Sequence, residues 1–255
     1  MHPVDMDKIA SWPSEITTFL TAHSEELLYE RKAEKNYIHL PSNIRITNGA
    51  PPKPRWNEAT ALIKNAMADR ELIGFHATRF VDFHDVQKTG LMRLDLAQHV
   101  ARVKRHLYSI NAFEELEEID AALAKKLEED MFFMNHEGAV FATPHRASLH
   151  NGDCDVFFET YGGEALNHIA SCACGKLKNR LKRIGEPAVV IFRYPAYSWC
   201  KFTHVRLPQS MIELHLQNQK YCEAIDFGWD ITISQDVPAQ NIIAVVPLDD
   251  PEIAV

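Results

Sequence analysis

No stretch of this chain approaches the ~20 consecutive apolar residues that a membrane-spanning helix requires, so the sequence predicts a protein that does not enter a bilayer. The opening residues, MHPVDMDKIASWPSEI, contain no apolar core of the kind a secretory leader carries. Five cysteines (Cys154, Cys172, Cys174, Cys200 and Cys222) are odd in number and irregularly spaced, which excludes the disulfide framework of a small secreted domain. Together these absences lead to the expectation of a cytoplasmic protein. Excess positive charge is lacking too. The formal net charge is -8 and the isoelectric point about 5.9, so no global field draws the molecule to nucleic acid. One dense basic run stands out, KLKNRLKRIG, and it reads as the solvated last turns of a helix ending at Gly185. Internal repeats and low-complexity tracts are absent as well.

What remains is ordinary globular material. With 255 residues, 46% hydrophobic and 24% charged, the chain can bury a full core. Residues 1–70 read as a helical N-terminal region. SEITTFLTAHSEELLYERKAE and WNEATALIKNAMADRE carry apolar residues at helical spacing, joined by a proline-rich connection. Residues 71–255 read as a second domain. ELIGFHAT is a strand, and DFHDVQKTG a short helix closed by Gly90. A helical insertion follows over about 95–134, its second helix capped by Asn111 with Glu114 three residues on. GAVFAT is a strand, and a helix is expected from Gly163 to Arg183. Strands are expected in AVVIFRYP, CKFTHVRLP, MIELHLQ, ITISQ and IIAVVPL. Helices and strands do not alternate strictly, so the predicted class is α+β, with a mixed or antiparallel sheet.

Three segments point to chemistry. In HATRFVDFHDVQKTGL, a histidine ends an apolar strand and is followed by Ala77, Thr78 and Arg79, then a short helix, then Gly-Leu. The segment resembles, without a gap from His76 to Leu91, the first motif of the ADP-ribosyltransferase superfamily. Within that superfamily the match is to the poly(ADP-ribose) polymerase and diphtheria-toxin-like (His-Tyr-Glu) branch. HEGAVFATPHRASLH is similar to the family's second motif through Gly138, Phe141, Ala142 and Ser148, with Val140 where the family has its tyrosine. FGWDITISQDVPAQNIIAV is similar to the third, with Asp230 at or beside the position of the catalytic glutamate. The order of the three is the family's.

The resemblance implies a split-sheet ADP-ribosyltransferase-like core that binds NAD as substrate and needs no metal. It implies a mono-ADP-ribosyltransferase acting on a macromolecule, in a toxin or defence type of role. The acidic balance favours a protein acceptor over nucleic acid. Catalytic roles fall to Asp230, which would stabilise charge on the ribose, and His76, which would bond the adenosine ribose. NAD binding would further involve the Ala77 backbone, Thr78, Ser148 and Arg79 beside the pyrophosphate, with Phe141 or Tyr161 supplying the aromatic face. Alternatives of other classes stand beside this reading. Water as acceptor gives an NAD glycohydrolase, and Val140 and Asp230 fit an inactive NAD-binding or partner-binding module. In that last case the helical regions would be the interaction surface. A zinc site through His168, Cys172 and Cys174 lacks a completing ligand pair. In TYGGEALNHIA, Glu164 is explained by the dipole of a helix N-terminus, or else borders the NAD cleft beside Tyr161.

Overall fold

The computed structural model describes residues 2–129, 138–150, 152, 154–171, 175–199, 203–220 and 231–253. The chain is α+β and forms two compact units, Met1–Leu72 with Pro195–Gly228, and Ile73–Tyr194 with Trp229–Val255.

The first unit is helical. Helices α1 (Ser14–Ala22), α2 (Ser24–Ile38), α3 (Ser42–Asn48) and α4 (Pro54–Ala66) supply its N-terminal part. Ile16 and Leu20 of α1, Leu27 of α2, and Trp56, Ala59 and Ile63 of α4 are buried. These three- and four-residue steps put each set on one helix face. The described residues of the two expected strands CKFTHVRLP and MIELHLQ instead lie in one helix, Thr203–Asn218, which packs on α1 and α4. Its buried residues Leu207, Met211, Ile212, His215 and Leu216 follow a helical period. Pro208 lies inside it. Proline removes one backbone bond and breaks the apolar run into short pieces that resemble strands. The helical N-terminal region is therefore completed by a distant piece of the chain.

The second unit carries β1 (Glu71–Phe80, which begins in the first unit), α5 (Phe83–Thr89), α6 (Leu96–Ser109), α7 (Phe113–Glu129) and β2 (Val140–Ala142). The short α8 (Asp155–Glu159) follows, then α9 (Gly163–Ala170), α10 (Lys176–Leu181), β3 (Glu186–Pro195), β4 (Ile231–Ile233) and β5 (Ile242–Pro247). The helix of Thr203–Asn218, in the other unit, is α11. Strands β1, β3 and β5 form one sheet in that order, and β2 pairs with β4 in an antiparallel ribbon. The central position of β3 matches its nearly unbroken buried run, AVVIF. Beneath this sheet lie Phe75, Ala77, Leu149, Phe158, Val189 and Ile191. A separate apolar cluster joins α6, α7, α9 and α10 through Val103, Leu107, Ile119, Leu166 and Leu177.

The insertion is helical as expected, but Asn111 is not the cap of its second helix. Its φ is 56, and the helix begins at Phe113, so Asn111 turns the chain between α6 and α7. The single helix expected from Gly163 to Arg183 is two, α9 and α10, with Gly175 at φ 99 before the second. Lys176, Lys182 and Arg183 of the basic run are exposed, as expected of a solvated face. Lys176 pairs with Glu114, Arg180 with Glu115 and Lys182 with Glu159, so much of its charge is neutralised by α7 and α8.

Candidate functional site

β1 alternates, with Phe75 and Ala77 in the apolar layer, which turns His76 and Thr78 to the other face. The His76 Nδ1 lies 2.6 Å from the Phe141 carbonyl of β2. A carbonyl only accepts, so Nδ1 carries the hydrogen and a neutral ring presents Nε2 as an acceptor. Desolvation lowers the pKa of His76, and the bond to Phe141 opposes that shift. The ring is half-exposed by surface area yet closely surrounded by protein, which disfavours its charged form.

The three segments singled out in the sequence converge here. Phe75 and Thr143 exchange backbone bonds of 2.8 and 2.9 Å, joining the first segment to the second. Leu91 and Val237 exchange bonds of 2.9 and 2.8 Å, joining the first to the third. Asp236 fixes the same junction from its side chain, accepting from the Arg93 backbone N–H at 2.8 Å. The β2–β4 ribbon joins the second to the third, with Ala142 opposite Ile231. Gly90 makes the close approach feasible. A Cβ there would stand 2.0 Å from the Val237 carbonyl oxygen, and φ is 80.

The other expected site residues fall in varied places. Asp230 lies outside the described residues, as do Cys172 and Cys174 of the zinc reading. Ile231, the next residue after Asp230, pairs beside Phe141, whose carbonyl holds His76. Ala77 points its side chain into the apolar layer. Thr78 is half-exposed on the His76 face. On β2, Val140 is buried and Phe141 half-exposed, so Phe141 is the aromatic side chain of this strand nearer solvent. Ser148 is buried in the short turn Arg146–Leu149 that follows β2.

Arg79 and Tyr161 stand apart from this grouping. The Arg79 guanidinium donates to three carbonyls, Ile184 at 2.9 Å, Phe158 at 2.5 Å and Gly185 at 2.6 Å. That places Arg79 as a clamp between β1, the end of α8 and the turn before β3. Tyr161 packs against the helical cluster, its ring 5.9 Å from that of His106. Burial pushes its hydroxyl pKa up, against a smaller lowering by Arg102. Glu164 is half-buried in the first turn of α9.

Two contributors went unseen in the sequence. His99 bonds the Gly162 carbonyl at 3.1 Å and so supports the Tyr-Gly-Gly turn before α9, and Asp236 anchors the Leu91 junction. Neither carries a local signal, because each acts on a residue more than sixty positions away. Among the described residues no group of His, Cys, Asp and Glu is arranged to hold a metal. Comparison of the chain with protein-family models, with curated proteins and with solved structures finds no match.

Proposed function

We propose that this protein is an NAD-consuming mono-ADP-ribosyltransferase that modifies a macromolecular acceptor, more suited to protein than to nucleic acid. The observation that carries the reading is the convergence of three segments far apart in the chain. Described residues of the three segments, or directly beside them, pair with one another: Phe75 with Thr143, Ala142 with Ile231, and Leu91 with Val237, and His76 bonds the Phe141 carbonyl. A resemblance confined to sequence would not require those pieces to touch.

The chemistry follows from the residues. The neutral His76 ring would offer Nε2 to a ribose hydroxyl, and the Ala77 backbone would pair with a carboxamide as the resemblance implies. Cleavage of the bond between nicotinamide and ribose sends the bonding electrons out with nicotinamide and leaves positive charge on the sugar. The Asp230 carboxylate would stabilise that charge. The acceptor attacks the anomeric carbon and gives up its proton. A pre-aimed charge of this kind is commonly worth roughly 3 to 4 kcal/mol of barrier.

The test uses NAD labelled in the adenosine half, incubated with purified protein and a cell lysate. Labelled protein and released nicotinamide are expected. Asp230→Asn should lower turnover by roughly a hundred-fold or more with little change in NAD affinity. Absence of any NAD-induced rise in melting temperature at about millimolar NAD would overturn the reading. Binding without nicotinamide release would leave an inactive NAD-binding module, and release without labelled acceptor would make it a glycohydrolase.

A further inference from the structure

The hairpin of α6 and α7 ends in an exposed apolar knuckle. Tyr108 is 67%, Ile110 43% and Phe113 52% exposed, and the Tyr108 and Phe113 rings touch edge to face at 5.8 Å between centroids. Contiguous large apolar side chains at a loop tip are more often covered than left in water. The charges beside the knuckle indicate what covers it. From Tyr108 back along α6, the exposed stripe at three-residue steps is Arg105 and Arg102, and α6 contains no acidic residue. From Phe113 forward along α7, the exposed stripe is Glu117, Asp120, Ala121 and Ala124. Among the described residues, Arg102, Arg105 and Glu117 form no ion pair, whereas the neighbouring Lys104 and Asp120 pair with each other.

We propose that this face is an interface between two copies of the chain, related by a two-fold axis running along the hairpin. Such an axis lays α6 of one copy antiparallel to α7 of the other and brings the two knuckles together. Arg105 lies three residues before Tyr108 and Glu117 four residues after Phe113, so at about 1.5 Å rise per residue they stand at nearly one level. Arg105 of each copy then faces Glu117 of the other, and the short Ala121 and Ala124 side chains let the helices approach. A basic helix beside an acidic helix is a self-complementary surface, as an isologous contact demands. The interface does not depend on the NAD reading.

Sedimentation velocity across a concentration series tests this. The wild-type chain should sediment at twice its monomer mass at about 50 μM, with the dimer dissociating on dilution. Ile110→Asp and Phe113→Glu should each give a monomer with an unchanged circular dichroism spectrum. Arg105→Glu alone and Glu117→Arg alone should each weaken the dimer at least about ten-fold, since like charges then face each other. Combined in one chain they should restore it. A wild-type monomer at the highest concentration overturns the proposal and leaves the knuckle to a different partner. Failure of the double reversal to restore association overturns the two-fold arrangement.

Discussion

Replacing Arg79 separates two roles that the sequence alone does not distinguish. In the motif that the segment resembles, this arginine would offset pyrophosphate charge. In the structure it donates to the carbonyls of Phe158, Ile184 and Gly185. A hydrogen bond from a charged group contributes about 1.5–3 kcal/mol net. The three bonds are half-exposed, and water recovers part of that in a truncated variant, so Arg79→Ala should cost roughly 3 kcal/mol. For a unit of this size each kcal/mol moves the melting temperature by about 2–4 °C, giving a fall of roughly 6–12 °C. Arg79→Lys keeps the charge but loses the planar fork, so it should hold one carbonyl and lose roughly two-thirds of that stability. Urea and thermal unfolding followed by circular dichroism read both variants, and NAD affinity is measured alongside. The clamp role expects both to be destabilised, with Lys intermediate. Unchanged melting in both variants, joined to an NAD affinity that Lys preserves and Ala abolishes, would refute the clamp and return Arg79 to the ligand.

Gly90→Ala should destabilise the junction of the three segments by at least about 2 kcal/mol, because φ 80 and ψ -170 suit glycine alone and the new Cβ meets the Val237 carbonyl. Equilibrium unfolding measures this, and a neutral result would show that the Leu91–Val237 pairing is dispensable. Acid should weaken the helical unit through His215. Ser24 Oγ donates to the Leu20 carbonyl at 2.7 Å, so it accepts from His215 Nε2 at 3.3 Å, and the buried Nδ1 finds no partner among the described residues. Burial lowers the His215 pKa below its unfolded value. The folded state therefore binds fewer protons, and stability present above about pH 6.5 is lost as pH falls through the folded value. Urea unfolding at neutral and mildly acidic pH should show a smaller loss for His215→Phe than for wild type, and equal slopes would remove His215 as the cause.

The sequence by itself determined the elements whose signals are local. β1 and the Gly90-terminated α5 follow from an apolar run, the turn chemistry of glycine and the Asp82 side chain, which accepts from the His84 N–H. The paired helices of the insertion and the buried β3 likewise follow from periodicity within a few turns. Only the tertiary structure decided matters settled by distant partners. The proline within α11 hid a helical period whose meaning depends on α1 and α4. The tautomer of His76 depends on a carbonyl 65 residues away, and the use of Arg79 on carbonyls 79 to 106 residues away. Periodicity reports which side of an element meets apolar matter. It carries no record of which carbonyl waits across the fold, and hydrogen-bond partners of that kind set the geometry of this site.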